Sequence, residues 1–192
     1  MHPPEALLDA LHPAIWIAWL AYWKVSARGV KAKAREETAP QRYTHYGPII
    51  AAVFLFCAPN LVPGLREPVF HQGYATFILG TAVLLAGLLF TVWARVVLGR
   101  NWSATVAVKQ DHELVRSGPY HLVRHPIYTG ILTGFLGSAI AQDRWGSFLA
   151  VALVTAGFWF KLRREEAWMR ETFGAAYETY CARTARLIPF VL

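Results

Sequence analysis

The stretch Gly118-Pro119-Tyr120-His121-Leu122-Val123-Arg124-His125-Pro126-Ile127-Tyr128-Thr129-Gly130 stands at the mouth of a hydrophobic run that continues to Ala141. Pro126 suits a first helical turn, where its missing N–H would be unpaired anyway. His125, just before it, is biased out of the helical region. The sequence therefore predicts a helix over Pro126–Ala141 with Arg124 and His125 at its entrance. A helix start offers free N–H groups and a positive dipole end, which suit a carboxylate or phosphate, and Arg124 adds a two-pronged donor. At the exit of the next hydrophobic run, Trp145 to about Leu162, come the adjacent carboxylates Glu165 and Glu166. A cation cluster and an anion cluster thus flank the same pair of segments.

The chain of 192 residues is 55% hydrophobic and only 16% charged. That is too apolar for an ordinary soluble domain of this length and points to an all-α, polytopic membrane protein, a single domain over residues 1–192. Three earlier segments complete a five-span plan: Leu7 to Val25, Gly47 to Gly64 and Gly73 to Leu98. Pro59 and Pro63 are expected to kink or end the second of these. In the third, Gly80, Ala82, Ala86 and Gly87 allow close helix packing, as do Gly130, Gly134 and Gly137 in the fourth. Gln142, Asp143 and Arg144 join the fourth and fifth in a hairpin, and the fifth is expected to run on past the membrane towards Glu165. The N-terminus has neither a basic region nor a small-residue cleavage site, so no cleaved signal peptide is expected.

The net charge of +7 does not point to nucleic acid, because the basic residues alternate with apolar tracts instead of forming one stripe. Seventeen of the nineteen Lys and Arg residues fall in the first loop, in the stretch after the third segment and in the tail, leaving Arg66 and Arg144 on the other side. The positive-inside rule then places the Arg124 loop and the C-terminus in the cytoplasm and the N-terminus outside. Contact with anionic membrane lipid is a further expectation from the same charges. Two cysteines, Cys57 and Cys181, make neither a disulfide framework nor a four-thiolate zinc site.

Each candidate has a plainer reading. Arg124 serves topology, His125 makes an interfacial hydrogen bond, and Trp102 anchors an interfacial loop. Trp168, Met169 and Phe173 form the apolar stripe of a solvated tail helix. His121 and His125 are four apart, but His125 precedes proline and no third ligand has zinc-like spacing, so no metal is expected. What the plain readings leave over is a pair of carboxylates at membrane depth, where an ionisable group is expensive and usually has a partner. No nucleophile elbow, Walker loop, zinc-protease helix or Gly-rich dinucleotide turn occurs. A nucleotide-like cofactor would have to be held by the helices and their cytoplasmic ends.

Gly118-Pro119-Tyr120, Arg124-His125-Pro126-x-Tyr128-x-Gly130, Glu165-Glu166, Phe173-Gly174, Tyr177, Tyr180 and Ile188-Pro189-Phe190, taken in order, resemble the isoprenylcysteine carboxyl methyltransferase family of integral membrane enzymes. The resemblance covers Gly99 to Leu192. It implies methyl transfer from S-adenosylmethionine to a lipophilic or prenylated acceptor, classically the carboxylate of a prenylated cysteine. It further implies a cytoplasm-facing cofactor pocket with Gly118, Tyr120, His125, Tyr128, Glu165 and Glu166 around it. Val108, Leu114 and Val115 are then expected against the adenine, with Arg124 and Glu165 as the catalytic pair and Arg124 holding the acceptor carboxylate. Related readings are a phospholipid N-methyltransferase, an NADPH-dependent membrane reductase sharing an Arg-His-Pro-like element, and a non-enzymatic scaffold using Val30–Arg35 as a polybasic patch.

Overall fold

The computed structural model describes residues 5–57, 62–70 and 73–189, the first five by their backbone. The order is α1 (Glu5–Ser26), β1 (Lys33–Glu36), α2 (Ala39–Cys57), α3 (Tyr74–Leu98), β2 (Ala107–Lys109), α4 (Pro119–Leu122), α5 (Pro126–Gln142), α6 (Trp145–Phe173) and α7 (Ala175–Cys181). Five long helices stand where the five hydrophobic segments lie. Pro126 occupies the first turn of α5, and His125 precedes it with φ −121° and ψ 59°, outside the helical region. Residue Pro59 and the closing Phe190 lie outside the described residues.

Among the described residues, two helical stretches are long and apolar enough to cross a membrane, Tyr74–Asn101 with mean hydropathy 2.2 and Trp145–Phe173 with 1.4. On α3 the large side chains of Ile78, Leu79, Leu85, Leu89 and Val96 are exposed. An outward face of that composition fits lipid rather than water.

The second segment begins earlier than its hydropathy suggested, at Ala39 rather than Gly47. Gln41 Oε1 accepts the Thr38 N–H at 3.0 Å, the returning half of a capping box, so the helix starts in polar sequence. The all-α expectation also needs one correction. β1 and β2 pair antiparallel, joining Lys33 to Lys109, Arg35 to Val108 and Glu36 to Ala107. All four residues of β1 are exposed, so it lacks the alternation by which a half-buried strand announces itself.

Helix α5 packs against α3 at van der Waals range through glycines on both. A Cβ on Gly87 would lie 2.6 Å from Gly130 O and Gly134 N, and one on Gly80 would lie 2.5 Å from Gly137 O. Ala82 and Ala86, expected at the same contact, face outward. Helix α2 packs on α6, and α5 and α6 form the expected hairpin. Its turn is held by buried Asp143, whose Oδ1 accepts the N–H groups of Val69 and Phe70 at 3.2 and 2.8 Å.

Gly87→Ala is expected to lower unfolding free energy by about 2 kcal/mol, because overpacking outweighs the gain of up to about 1 kcal/mol in helix propensity. Ala86→Leu, on the outward face, is expected to change it by less than about 0.5 kcal/mol. Denaturant titration in mixed micelles separates the two.

Candidate active site

The entrance to α5 is fixed by the tail. Arg124 N–H donates to Ala185 O at 2.8 Å and His125 N–H to Arg186 O at 3.1 Å, while Thr129 Oγ1 donates to Leu187 O at 2.7 Å. The segment after α7 thus runs beside Val123–His125 as a strap. It needs the non-helical backbone that His125 adopts before the proline.

Adjacent residues on a helix point about 100° apart, so Glu165 and Glu166 face different surroundings. Glu166 is buried, with Arg124 Nε at 2.9 Å, Arg186 Nε at 3.1 Å, His125 Nε2 at 3.3 Å and Arg170 Nη2 at 3.7 Å. Glu165 accepts the Tyr128 hydroxyl at 2.6 Å, lies 3.7 Å from His125 Nδ1, and keeps 23% of its side chain exposed. Of the two carboxylates it is Glu166, not Glu165, that pairs with Arg124. Its Nη1 also donates to the carbonyls of Cys181 and Thr184. Most of the fork expected to face an acceptor is turned into the protein.

Between the helix ends lies a cavity of about 310 Å³. Arg124, His125, Tyr128, Glu165, Tyr120, Leu114 and Val115 all line it, so seven of the expected residues meet there. Three do not. Glu166 is spent on the ion cluster. Val108 sits in β2 opposite Arg35. Gly118 makes the turn into α4 at φ +57°, and a Cβ there would press on Val97 at 3.1 Å.

Several lining residues were not singled out from the sequence. Trp23 meets Trp102 edge to face at 5.8 Å, closing one wall between α1 and the loop after α3. His112 packs on Phe173 and accepts the Lys109 N–H, and burial, aided by Lys31 and Lys109, holds its pKa below the ordinary histidine value. Glu113 lies below the usual carboxylate range because Asn101 donates to it and Lys31 stands nearby. Lys161 is buried in the wall, one helical turn before Glu165 and nearly one after Phe158. That spacing put all three on one face and was legible beforehand.

The loop that carries these groups is tied down by the first loop. Glu37 accepts the Val106 N–H at 3.1 Å through Oε1 and Arg164 Nη1 at 3.2 Å through Oε2. The cations expected as a polybasic patch are engaged inside the molecule. Lys33 pairs with Glu36 at 2.8 Å, Lys31 donates to Asp111 O, and Arg35 pairs with Glu171 while lying 4.1 Å over the Trp168 ring. Among the described residues no group of three or more His, Cys, Asp or Glu side chains is arranged to hold a metal ion.

A sequence-family model described as phospholipid methyltransferase matches residues 75–176, just over half the chain, and the chain belongs to that family. The match reaches back into α3, the helix on which α5 is packed. Within the family its likeness is to the isoprenylcysteine carboxyl methyltransferases, as the motifs suggested. Protein-S-isoprenylcysteine O-methyltransferase B of Arabidopsis thaliana is 28% identical over 132 residues, spanning 67% of this chain and 64% of the plant protein. The Schizosaccharomyces pombe protein-S-isoprenylcysteine O-methyltransferase is 35% identical over 121 residues, 62% of this chain and 50% of that protein. The solved structure of a eukaryotic intramembrane Ras methyltransferase, an isoprenylcysteine carboxyl methyltransferase, superposes with TM-score 0.54 at 27% identity, covering 81% of this chain and 54% of that one. The chain spans about half to two thirds of the length of these relatives.

Glu166→Gln is expected to destabilise the fold by about 3–5 kcal/mol, since it leaves a buried guanidinium without its counter-charge. Glu165→Gln keeps a hydrogen-bond acceptor for Tyr128 and is expected to cost about 1 kcal/mol or less. Unfolding of the two variants side by side in mixed micelles checks the division of labour.

Proposed function

We propose that this protein transfers a methyl group from S-adenosylmethionine to the carboxylate of a lipophilic, isoprenylcysteine-like acceptor at the cytoplasmic face of a membrane. The observation that carries the reading is one cavity with two kinds of wall. Ile127, Ile131 and Phe158 supply an apolar side, while Glu165, His112 and Glu113 supply a polar one. A charged cofactor and a greasy acceptor need both.

The residues present fit the donor. The partly exposed carboxylate of Glu165 complements a cation, and the rings of Trp23, Trp102 and Tyr120 with Leu114 and Val115 suit a planar base. When bound, S-adenosylmethionine supplies a methyl group on a sulfonium sulfur, which keeps the C–S bonding pair and leaves as a neutral thioether while the acceptor oxygen bonds the methyl carbon. The chain's own task is positioning and exclusion of water. Tyr128 fixes Glu165 through its hydroxyl, and the stack of His125, Tyr128 and Phe158 closes the floor, with ring centroids 5.5 and 4.6 Å apart. A carboxylate acceptor is already ionised at neutral pH, so no side chain has to remove a proton.

The same reading has the five long helices crossing the bilayer, with the first loop, the cavity and the tail on the cytoplasmic side that the distribution of Lys and Arg favours. A phospholipid amine is the second acceptor to test, because the matching family is described by phospholipid methylation. It would need Glu165 as a base.

Calorimetry in detergent is expected to show S-adenosylmethionine binding that weakens roughly 10-fold or more in Glu165→Ala. Incubation of membranes with methyl-labelled donor and a farnesylcysteine is expected to give a base-labile methyl ester. Label in methylated phosphatidylethanolamine instead would transfer the assignment to the amine acceptor.

A further inference from the structure

Lys161 is a buried lysine whose Nζ the fold engages with a carbonyl and a ring face instead of a carboxylate. Its residue is 6% exposed, and among the described residues it forms no ion pair. Its Nζ donates to Ala104 O at 2.7 Å and lies 5.3 Å from the centre of the Tyr128 ring. An ammonium carries three N–H donors, so one carbonyl and one ring face leave it capacity for another acceptor. Glu165, the carboxylate one turn along, is engaged by Tyr128. A buried charge is expensive unless paired, and the open space beside Lys161 is the cavity it lines.

Its place along α6 says what kind of anion would meet it. Phe158, Lys161 and Glu165 share one helix face and all line the cavity. Lys161 is about 4.5 Å of helix beyond the apolar Phe158 and about 6 Å before Glu165. It therefore marks the joint between the apolar wall and the ionic one, where the head of an amphiphile comes to rest when its tail lies along Ile127, Ile131 and Phe158. The guanidinium in the wall, Arg124, gives its Nε to Glu166 and its Nη1 to the carbonyls of Cys181 and Thr184.

We propose that Lys161 receives the acceptor's carboxylate and selects acids over amines as methyl acceptors. This rests on the methyltransferase reading above and assigns to Lys161 the grip that sequence alone gave to Arg124. A protonated amine head would meet a like charge at this point, whereas a carboxylate gains a charge-assisted hydrogen bond. Esterification then removes the negative charge, so the product loses the contact that held the substrate.

The test measures affinities of N-acetyl-S-farnesylcysteine, its methyl ester and S-adenosylmethionine for the full chain in detergent, as wild type, Lys161→Met and Lys161→Arg. Wild type is expected to prefer the acid to the ester by about tenfold or more. Lys161→Met is expected to erase that preference while ester and donor affinities stay within about threefold, and Lys161→Arg to restore part of it. An unchanged acid-to-ester ratio in Lys161→Met overturns the proposal. So does a parallel loss for acid and ester, which reduces Lys161 to a prop for the Ala104 carbonyl. A loss confined to S-adenosylmethionine would reassign the lysine to the donor's own carboxylate. Wild type that binds S-adenosylmethionine but neither farnesyl compound removes the prenylcysteine reading itself, and this proposal with it.

Discussion

A carboxylate at 1% side-chain exposure, within 3.7 Å of three arginines and a histidine, is what the arrangement around Glu166 comes down to. Taking such a group out of water costs on the order of several kcal/mol, which only close and well-aligned partners offset. Here the partners come from the entrance of α5 (Arg124, His125), from α6 itself (Arg170) and from the tail (Arg186). One buried anion therefore locks three distant stretches of chain together. The strap from Thr184 to Leu187 is held to the Val123–His125 backbone by the same alignment. Because the next residue along α6 is turned by about 100°, locking Glu166 inward aims Glu165 into the cavity.

A second constraint positions the helices that carry that cavity. The glycine contacts between α3 and α5 bring the two backbones close enough that no side chain fits between them. With no hydrophobic drive between helices in lipid, such close packing is what makes them associate. It holds the α5 entrance beside the α3 exit, from which the loop carrying Asn101–Val115 departs. The first loop then clamps that loop through the β1–β2 ribbon and Glu37. The N-terminal third of the chain lies outside the matched family region, yet through these contacts it helps hold the cavity wall.

Much of this was legible in the sequence, and the exceptions have physical reasons. Hydropathy marked α3 and α5 to within a residue, because glycine flanks α3 at both ends, proline starts α5, and Arg95 is the one charged residue in either. It missed the first turns of α2, where a capping box at Thr38 and Gln41 starts the helix in polar sequence. It missed the ribbon, because Lys33–Glu36 buries neither face. The cluster at residues 120–128 and 165 assembled as the motif order suggested, whereas Val108 and Gly118 serve the backbone. Lys161 was counted as a topology charge, since the positive-inside rule weighs residues by side of the membrane and is blind to which helix face they occupy. The split of the acidic pair needed only helix geometry, but which acid turned inward depended on Arg186, twenty residues on, and chain separation hides that.

The proposed methyl transfer requires a donor held between the loop after α3 and the entrance of α5. Ultraviolet crosslinking of methyl-labelled S-adenosylmethionine to the full chain, followed by peptide mapping, addresses this most directly. Label should fall on peptides carrying residues 101–115 and 120–128, and excess unlabelled donor should abolish it. Label confined to peptides from α2 or from the turn between α5 and α6 would contradict the account.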